Sequence, residues 1–112
     1  MIFQYELKDN SLRVMLPKEL DHHSSIDIRT QTDMLLKTYQ VKNLIFDFSQ
    51  TEFMDSSGIG LILGRVQQVH PVEGKIYLFG GTPSIQKMWE MSGVLKLVTV
   101  LDTIEEVKEV YE

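Results

Sequence analysis

Leu44-Ile45-Phe46-Asp47-Phe48 runs into Ser49-Gln50-Thr51-Glu52 and then into Phe53-Met54-Asp55-Ser56-Ser57-Gly58-Ile59-Gly60. The first five residues form a short apolar run of the kind carried by a strand covered on both faces, which marks them as a central strand. From Ser57 onward Ile59, Leu61-Ile62-Leu63, Val66 and Val69 recur at helical spacing, and His70-Pro71 with the turn around Glu73-Gly74 stops that helix. Ile76-Tyr77-Leu78-Phe79 supplies the next strand. A buried strand, a helix and a second strand make a βαβ unit, so the middle of the chain predicts parallel pairing with helices packed on the sheet.

The flanks extend this reading. Ile2-Phe3-Gln4-Tyr5-Glu6-Leu7 and Leu12-Arg13-Val14-Met15-Leu16 surround the polar turn Lys8-Asp9-Asn10-Ser11 and predict a hairpin, ended by Pro17. Asp21-His22-His23-Ser24-Ser25 offers cap-type residues for a helix through about residue 39. Its inner stripe is Ile28, Met34 and Leu35 with Thr38-Tyr39, and Arg29, Asp33 and Lys37 face water. Gly80-Gly81 is a turn, Thr82 a cap with Pro83 at the first helical position, and Gly93 a left-handed stop after Ser92. Leu97-Val98-Thr99-Val100 is a last strand, and Asp102 caps a final helix bearing Ile104, Val107, Val110 and Tyr111. The order β-β-α-β-α-β-α-β-α predicts an α/β fold: a mixed sheet with an N-terminal hairpin and about four packed helices. Residues 1–112 form one domain, without internal repeat or linker.

Composition narrows the function. With 43% hydrophobic and 24% charged residues the chain reads as an ordinary globular protein. Eleven Lys and Arg against sixteen Asp and Glu give a net charge of −5, which disfavours binding to nucleic acid or to anionic membrane and points to a protein partner. Most of that charge comes from Asp102, Glu105, Glu106, Glu109 and Glu112 against Lys108, read as a solvated helix face. The absence of cysteine excludes disulfides, thiolate nucleophiles and Cys-ligated metal, and fits a reducing compartment. Met1-Ile2-Phe3-Gln4-Tyr5-Glu6 has no basic flank and apolar stretch of a secretory signal, and no apolar run approaches the ~20 residues of a membrane helix. A cytoplasmic location is expected, with no cofactor and no metal.

The chemistry concentrates at Asp55-Ser56-Ser57-Gly58-Ile59-Gly60, displayed beyond the carboxyl end of the central strand. Asp55 or Ser56 caps the helix. The free N–H groups of a first helical turn favour negative charge, so a phosphate on a serine here is tolerated by its own helix. Two glycines where alanine would serve cost roughly 1 kcal/mol each, a sacrifice that makes sense if a partner backbone sits flush against small residues.

Phe53-Met54-Asp55-Ser56-Ser57-Gly58-Ile59-Gly60 resembles the signature of anti-sigma-factor antagonists (anti-anti-sigma factors), the STAS domain family. Glu19-Leu20-Asp21-His22-His23 is similar to that family's loop before its first helix, Leu63-Gly64-Arg65 to the middle of the signature helix, and Met88 with Met91-Ser92-Gly93-Val94 to the end of its third helix. Lys18, where the family commonly has glycine, is the one departure. The resemblance implies a STAS fold and places the phosphoacceptor on Ser57. It also implies a binding surface that takes in Asp21, Asp55, Ser56, Gly58, Ile59 and Gly60. It further implies a non-enzymatic partner switch in transcription regulation, with sporulation as its setting. By the same resemblance the unphosphorylated form is expected to bind a kinase-type anti-sigma factor, which then releases its sigma factor; that serine kinase is expected to switch it off, and a serine phosphatase to restore it. The free form is expected to be a monomer. A domain serving another pathway, such as a general-stress partner switch, is the alternative.

Other chemistries attach to the same residues. A serine hydrolase would use Ser57 with His22 or His23 and Asp21 or Asp55, but the Gly-x-Ser-x-Gly elbow is missing. A receiver domain would be phosphorylated on Asp55, yet the first strand is not followed by the paired acids that hold magnesium. His22 and His23 point about 100° apart on a helix, and His70 is distant in sequence, which argues against a metal site. Met54, Met88, Met91 and Trp89 would suit a ligand pocket, but at helical spacing they read as core packing or, where exposed, as anchors for a partner.

Overall fold

The computed structural model describes residues 3–111, so Met1, Ile2 and Glu112, and the expectations placed on them, lie outside the described residues. The hairpin forms as expected: β1 (Gln4–Lys8) pairs antiparallel with β2 (Ser11–Met15) around Asp9 and Asn10, Asp9 taking a positive φ of 53°. A two-residue strand β3 (Glu19–Leu20) leads into helix α1 (His22–Tyr39), followed by β4 (Asn43–Asp47), a second two-residue strand β5 (Phe53–Met54) and helix α2 (Ser56–Val69). His70–Val72 tighten into a 3-10 turn before β6 (Lys75–Phe79). Helix α3 (Pro83–Ser92), strand β7 (Thr99–Leu101) and helix α4 (Ile104–Tyr111) complete the chain.

Five strands make one mixed sheet in the order β1-β2-β4-β6-β7, parallel except for the hairpin. The run Leu44-Ile45-Phe46-Asp47 is its middle strand, buried throughout because alternate side chains enter opposite layers. Leu44 and Phe46 join the large core under α1, α2 and α3, whereas Ile45 joins Leu101 and Val107 in a smaller core under α4. Asp47 shares the α4 face, where its carboxylate accepts from Arg13 Nη2 at 2.7 Å, Arg13 Nε at 3.1 Å and the Ser49 N–H at 2.8 Å. Pairing with arginine and a backbone donor is what lets a carboxylate sit in a buried strand.

The cap of α3 falls where the sequence put it. Thr82 Oγ1 accepts from the Ile85 N–H at 3.2 Å, Pro83 opens the helix, and Gly93 closes it at φ 80°, a conformation glycine adopts without steric cost.

Five expectations need correction. The pairing of Glu19–Leu20 with Phe53–Met54 as a separate parallel ribbon was not foreseen, since two-residue strands carry no periodic signal. The last strand is Thr99–Leu101 rather than 97–100: Val94–Lys96 form a 3-10 turn after Gly93, which leaves Leu97 exposed. Helix α4 is capped by Thr103 rather than Asp102. Thr103 Oγ1 accepts from the Glu106 N–H at 3.1 Å, while Glu106 Oε1 reaches back to the Asp102 N–H at 3.2 Å. The buried stripe of α1 is Ser25, Ile28, Thr32, Leu35 and Leu36, with Met34, Thr38 and Tyr39 outward. Thr32 takes its place inside by donating its hydroxyl to the Ile28 carbonyl at 2.7 Å. Finally, Asp33 does not simply face water. It is half-buried and paired with Arg65 of α2, which is only 3% exposed and occupies the inner face where the sequence suggested an apolar stripe.

Candidate functional site

The small ribbon builds the site. Because β3 and β5 run parallel with Leu20 opposite Met54, the residues that follow them, Asp21 and Asp55, emerge side by side, and the Asp55 N–H donates to the Leu20 carbonyl at 3.2 Å. Lys18 anchors the same ribbon: its carbonyl accepts from the Glu52 and Phe53 N–H groups at 2.8 and 3.1 Å. It takes no left-handed conformation, so lysine fits where the family commonly has glycine.

Asp21 and Asp55 are then the N-caps of α1 and α2, with nearly the same backbone angles (φ −105°, ψ −175° and φ −100°, ψ −175°). Asp21 sits in a capping box. Its Oδ1 accepts from the Ser24 N–H at 2.9 Å, and its own N–H donates to Ser24 Oγ at 3.0 Å. The Ser24 N–H, then the Ser24 hydroxyl, hold the Asp21 carboxyl below its ordinary value, with the His23 charge adding to them against a small opposing effect of burial. Asp55 Oδ1 accepts from the Ser57 N–H at 2.8 Å, which settles the choice between Asp55 and Ser56 as cap.

Ser57 is therefore the second residue of α2, its N–H committed to Asp55 and its side chain half-exposed. No described residue hydrogen-bonds its hydroxyl. It opens into a groove of about 230 Å³ lined by Ser57, Gly60 and Leu61 of α2 and by His22, Ser25, Ile26 and Arg29 of α1. Ser56 and Gly60 are exposed, and nothing lies within 4 Å of the place a Gly60 Cβ would take. Gly58 differs: it is buried, and a Cβ there would meet Met54 Cγ and Sδ at 2.5 Å, so the protein's own packing demands that glycine. Ile59 is half-buried against the large core. Of the anticipated surface, then, Asp21, Asp55, Ser56, Ser57 and Gly60 share one open edge, and Gly58 faces inward. The wall of α1 opposite Ser57 was missed, although His22, Ser25, Ile26 and Arg29 are spaced as one helical face.

His22 and Ser57 line one groove, but the carboxylates of Asp21 and Asp55 are turned to backbone N–H groups, and no hydrogen bond among the described residues joins His22 to either serine or acid. Among the described residues no three His, Asp or Glu side chains converge, and His70 lies at the far end of α2, roughly 20 Å along the axis. Trp89 is buried edge-on to Phe48 at 5.1 Å, Met54 is buried, and Met88 packs on the core, whereas Met91 is 79% exposed.

Residues 3–107 match the STAS domain model. The chain belongs to the STAS domain family. An anti-sigma F factor antagonist of Paenibacillus polymyxa is 34% identical over 91 residues, which are 81% of this chain and 78% of that one. Among solved STAS structures, the anti-sigma factor antagonist SpoIIAA in its unphosphorylated form superposes with a TM-score of 0.85 at 31% identity, over 96% of this chain and 95% of that chain. The Bacillus cell fate determinant SpoIIAA in the phosphorylated form gives a TM-score of 0.77, also at 31% identity, over 96% of this chain and 98% of that chain. The STAS architecture expected from the sequence, a mixed sheet with an N-terminal hairpin and four helices among the described residues, is the architecture observed. No helix among the described residues is long and apolar enough to cross a membrane.

Proposed function

We propose that this STAS domain is an anti-sigma factor antagonist switched by phosphorylation of Ser57. Unmodified, it docks on a kinase-type anti-sigma factor through the edge formed by Asp21, Asp55, Ser56, Ser57 and Gly60, with Ile59 and Gly58 setting that edge from beneath, and the anti-sigma factor releases its sigma factor. The same partner phosphorylates it in the cytoplasm. The bond from the γ-phosphorus of ATP to the β–γ bridging oxygen breaks, a bond to Ser57 Oγ forms, the hydroxyl proton passes to a base of the kinase, and ADP leaves. A serine phosphatase reverses the change by delivering water to the phosphorus, which returns the hydroxyl and inorganic phosphate.

The observation that carries this reading is the position of the Ser57 hydroxyl: without a partner among the described residues, half-exposed, and one residue into a helix whose cap holds the backbone rigid. A kinase reaches such a group without unfolding anything. Once modified, it adds about −1.5 to −2 charges beside Asp21 and Asp55, and like charge desolvated in an interface disfavours docking. The name of the Paenibacillus relative and the existence of SpoIIAA in both unphosphorylated and phosphorylated forms support the reading.

Incubation with the anti-sigma kinase and labelled ATP tests it. Label is expected on the wild type and on Ser56→Ala, and none on Ser57→Ala; label on Ser57→Ala but not on Ser56→Ala overturns the site. Stability of the phosphate in mild acid and base separates a phosphoserine from an aspartyl phosphate on Asp55. Stoichiometric capture of Ser57 by a fluorophosphonate would instead favour a hydrolase.

A further inference from the structure

The α1 wall of the groove holds two groups that neither the fold nor the docking edge uses. Ser25 is 6% exposed, lines the groove, and its Oγ has no hydrogen-bond partner among the described residues. Buried hydroxyls are nearly always satisfied, so an orphan shielded from water on a residue that lines a groove marks a place where an acceptor belongs. One turn further along the same face stands Arg29, whose side chain is exposed. Its backbone carbonyl accepts from Arg65 Nη1 at 3.3 Å and from Thr32 Oγ1 at 3.2 Å, but its guanidinium has no ion pair among the described residues. A residue with an unpaired donor and a residue with an unpaired cation thus line, together with Ser57, a groove of about 230 Å³.

We propose that this groove is the chain's own receptor for the phosphoryl group of Ser57, with the Arg29 guanidinium as counter-ion and the Ser25 hydroxyl as donor. The inference rests on Ser57 being the phosphoacceptor. A phosphoserine offers three acceptor oxygens, and Arg matches their geometry with paired N–H donors. The charges around it are Asp21 and Asp55 at the two caps, His22 and His23 in the first turn of α1, and Arg29; both cap carboxylates point at backbone N–H groups, which leaves Arg29 as the permanent cation of the groove. Seating the phosphate there occupies part of the groove beside Ser57, so the modified protein differs from the unmodified one in shape as well as in charge. It also lets a dianion stand between two capping carboxylates without unwinding either helix.

Phosphorus-31 NMR titration tests this on full chain carrying phosphoserine installed at position 57 during synthesis, which needs neither kinase nor anti-sigma partner. In that chain Arg29→Gln and Ser25→Ala are each expected to move the second phosphate pKa upward, Arg29→Gln by about half a unit. Lys37→Gln, on the same helix outside the groove, should leave it in place. An unchanged value in either groove variant, with circular dichroism like that of the parent, overturns the proposal. Failure here leaves the docking reading intact, and failure of the kinase to label Ser57 leaves this measurement unaffected.

Discussion

Two glycines two positions apart, Gly58 and Gly60, show why residue type alone misleads. Both resemble concessions to a partner, yet only Gly60 has open space above it, while Gly58 is pinned by Met54 and Leu20 of its own chain. Gly58→Ala should therefore destabilise the fold by about 1–3 kcal/mol through overpacking, and Gly60→Ala should stabilise it by up to about 1 kcal/mol through helix propensity while weakening capture of the anti-sigma partner. Urea unfolding of both variants, with a pull-down of the second, checks the pair. At Ser57, replacement by Asp is expected to abolish complex formation with unchanged far-UV circular dichroism, and replacement by Ala to keep binding. A tightly held Ser57→Asp complex would refute the electrostatic switch. The sequence singles out Ser57, Asp21 and Asp55 because a motif and two cap residues carry them, and the structure sets them at one edge; that Ser25 and Arg29 line the groove beside Ser57 was not legible, because which face of α1 meets α2 is a property of packing, not of local spacing.

At the scale of elements, the ribbon of β3 and β5 sets the two caps side by side, and the capping box of α1 makes Asp21 sensitive to acid. Its carboxyl titrates below the ordinary value of 3.8 in the folded state. The stabilisation it gives is therefore complete above that unfolded value and lost as pH falls through the lower folded one. As pH falls from the unfolded value of 3.8 through the lower folded one the wild type should lose stability more steeply than Asp21→Asn, read from urea midpoints at each pH; parallel curves would contradict the cap's role. The contact of α1 with α2 is locked by Arg65 on Asp33 and on the Thr32 hydroxyl at 3.3 Å. Asp33→Ala strands a buried guanidinium and should cost about 3 kcal/mol, measured by thermal unfolding. The long elements were legible because strand and helix periods differ and because Thr82, Pro83 and Gly93 announce their ends. The ribbon, the shifted last strand and the Thr103 cap were not, since two or three residues show no period and Asp102 and Thr103 are equally good caps by type.

For the molecule as a whole, four helices among the described residues cover both faces of the sheet that carries the proposed docking edge. With the helices capped and the chain already at −5, phosphorylation as proposed is expected to change the surface rather than the fold. The most direct measurement is calorimetric titration of the anti-sigma kinase, loaded with ADP, with the unmodified chain and with chain phosphorylated at Ser57. Tight binding of the first and an affinity at least about 30-fold weaker for the second is the expected result. Equal affinities for the two forms, with mass spectrometry confirming phosphate on Ser57, would contradict it.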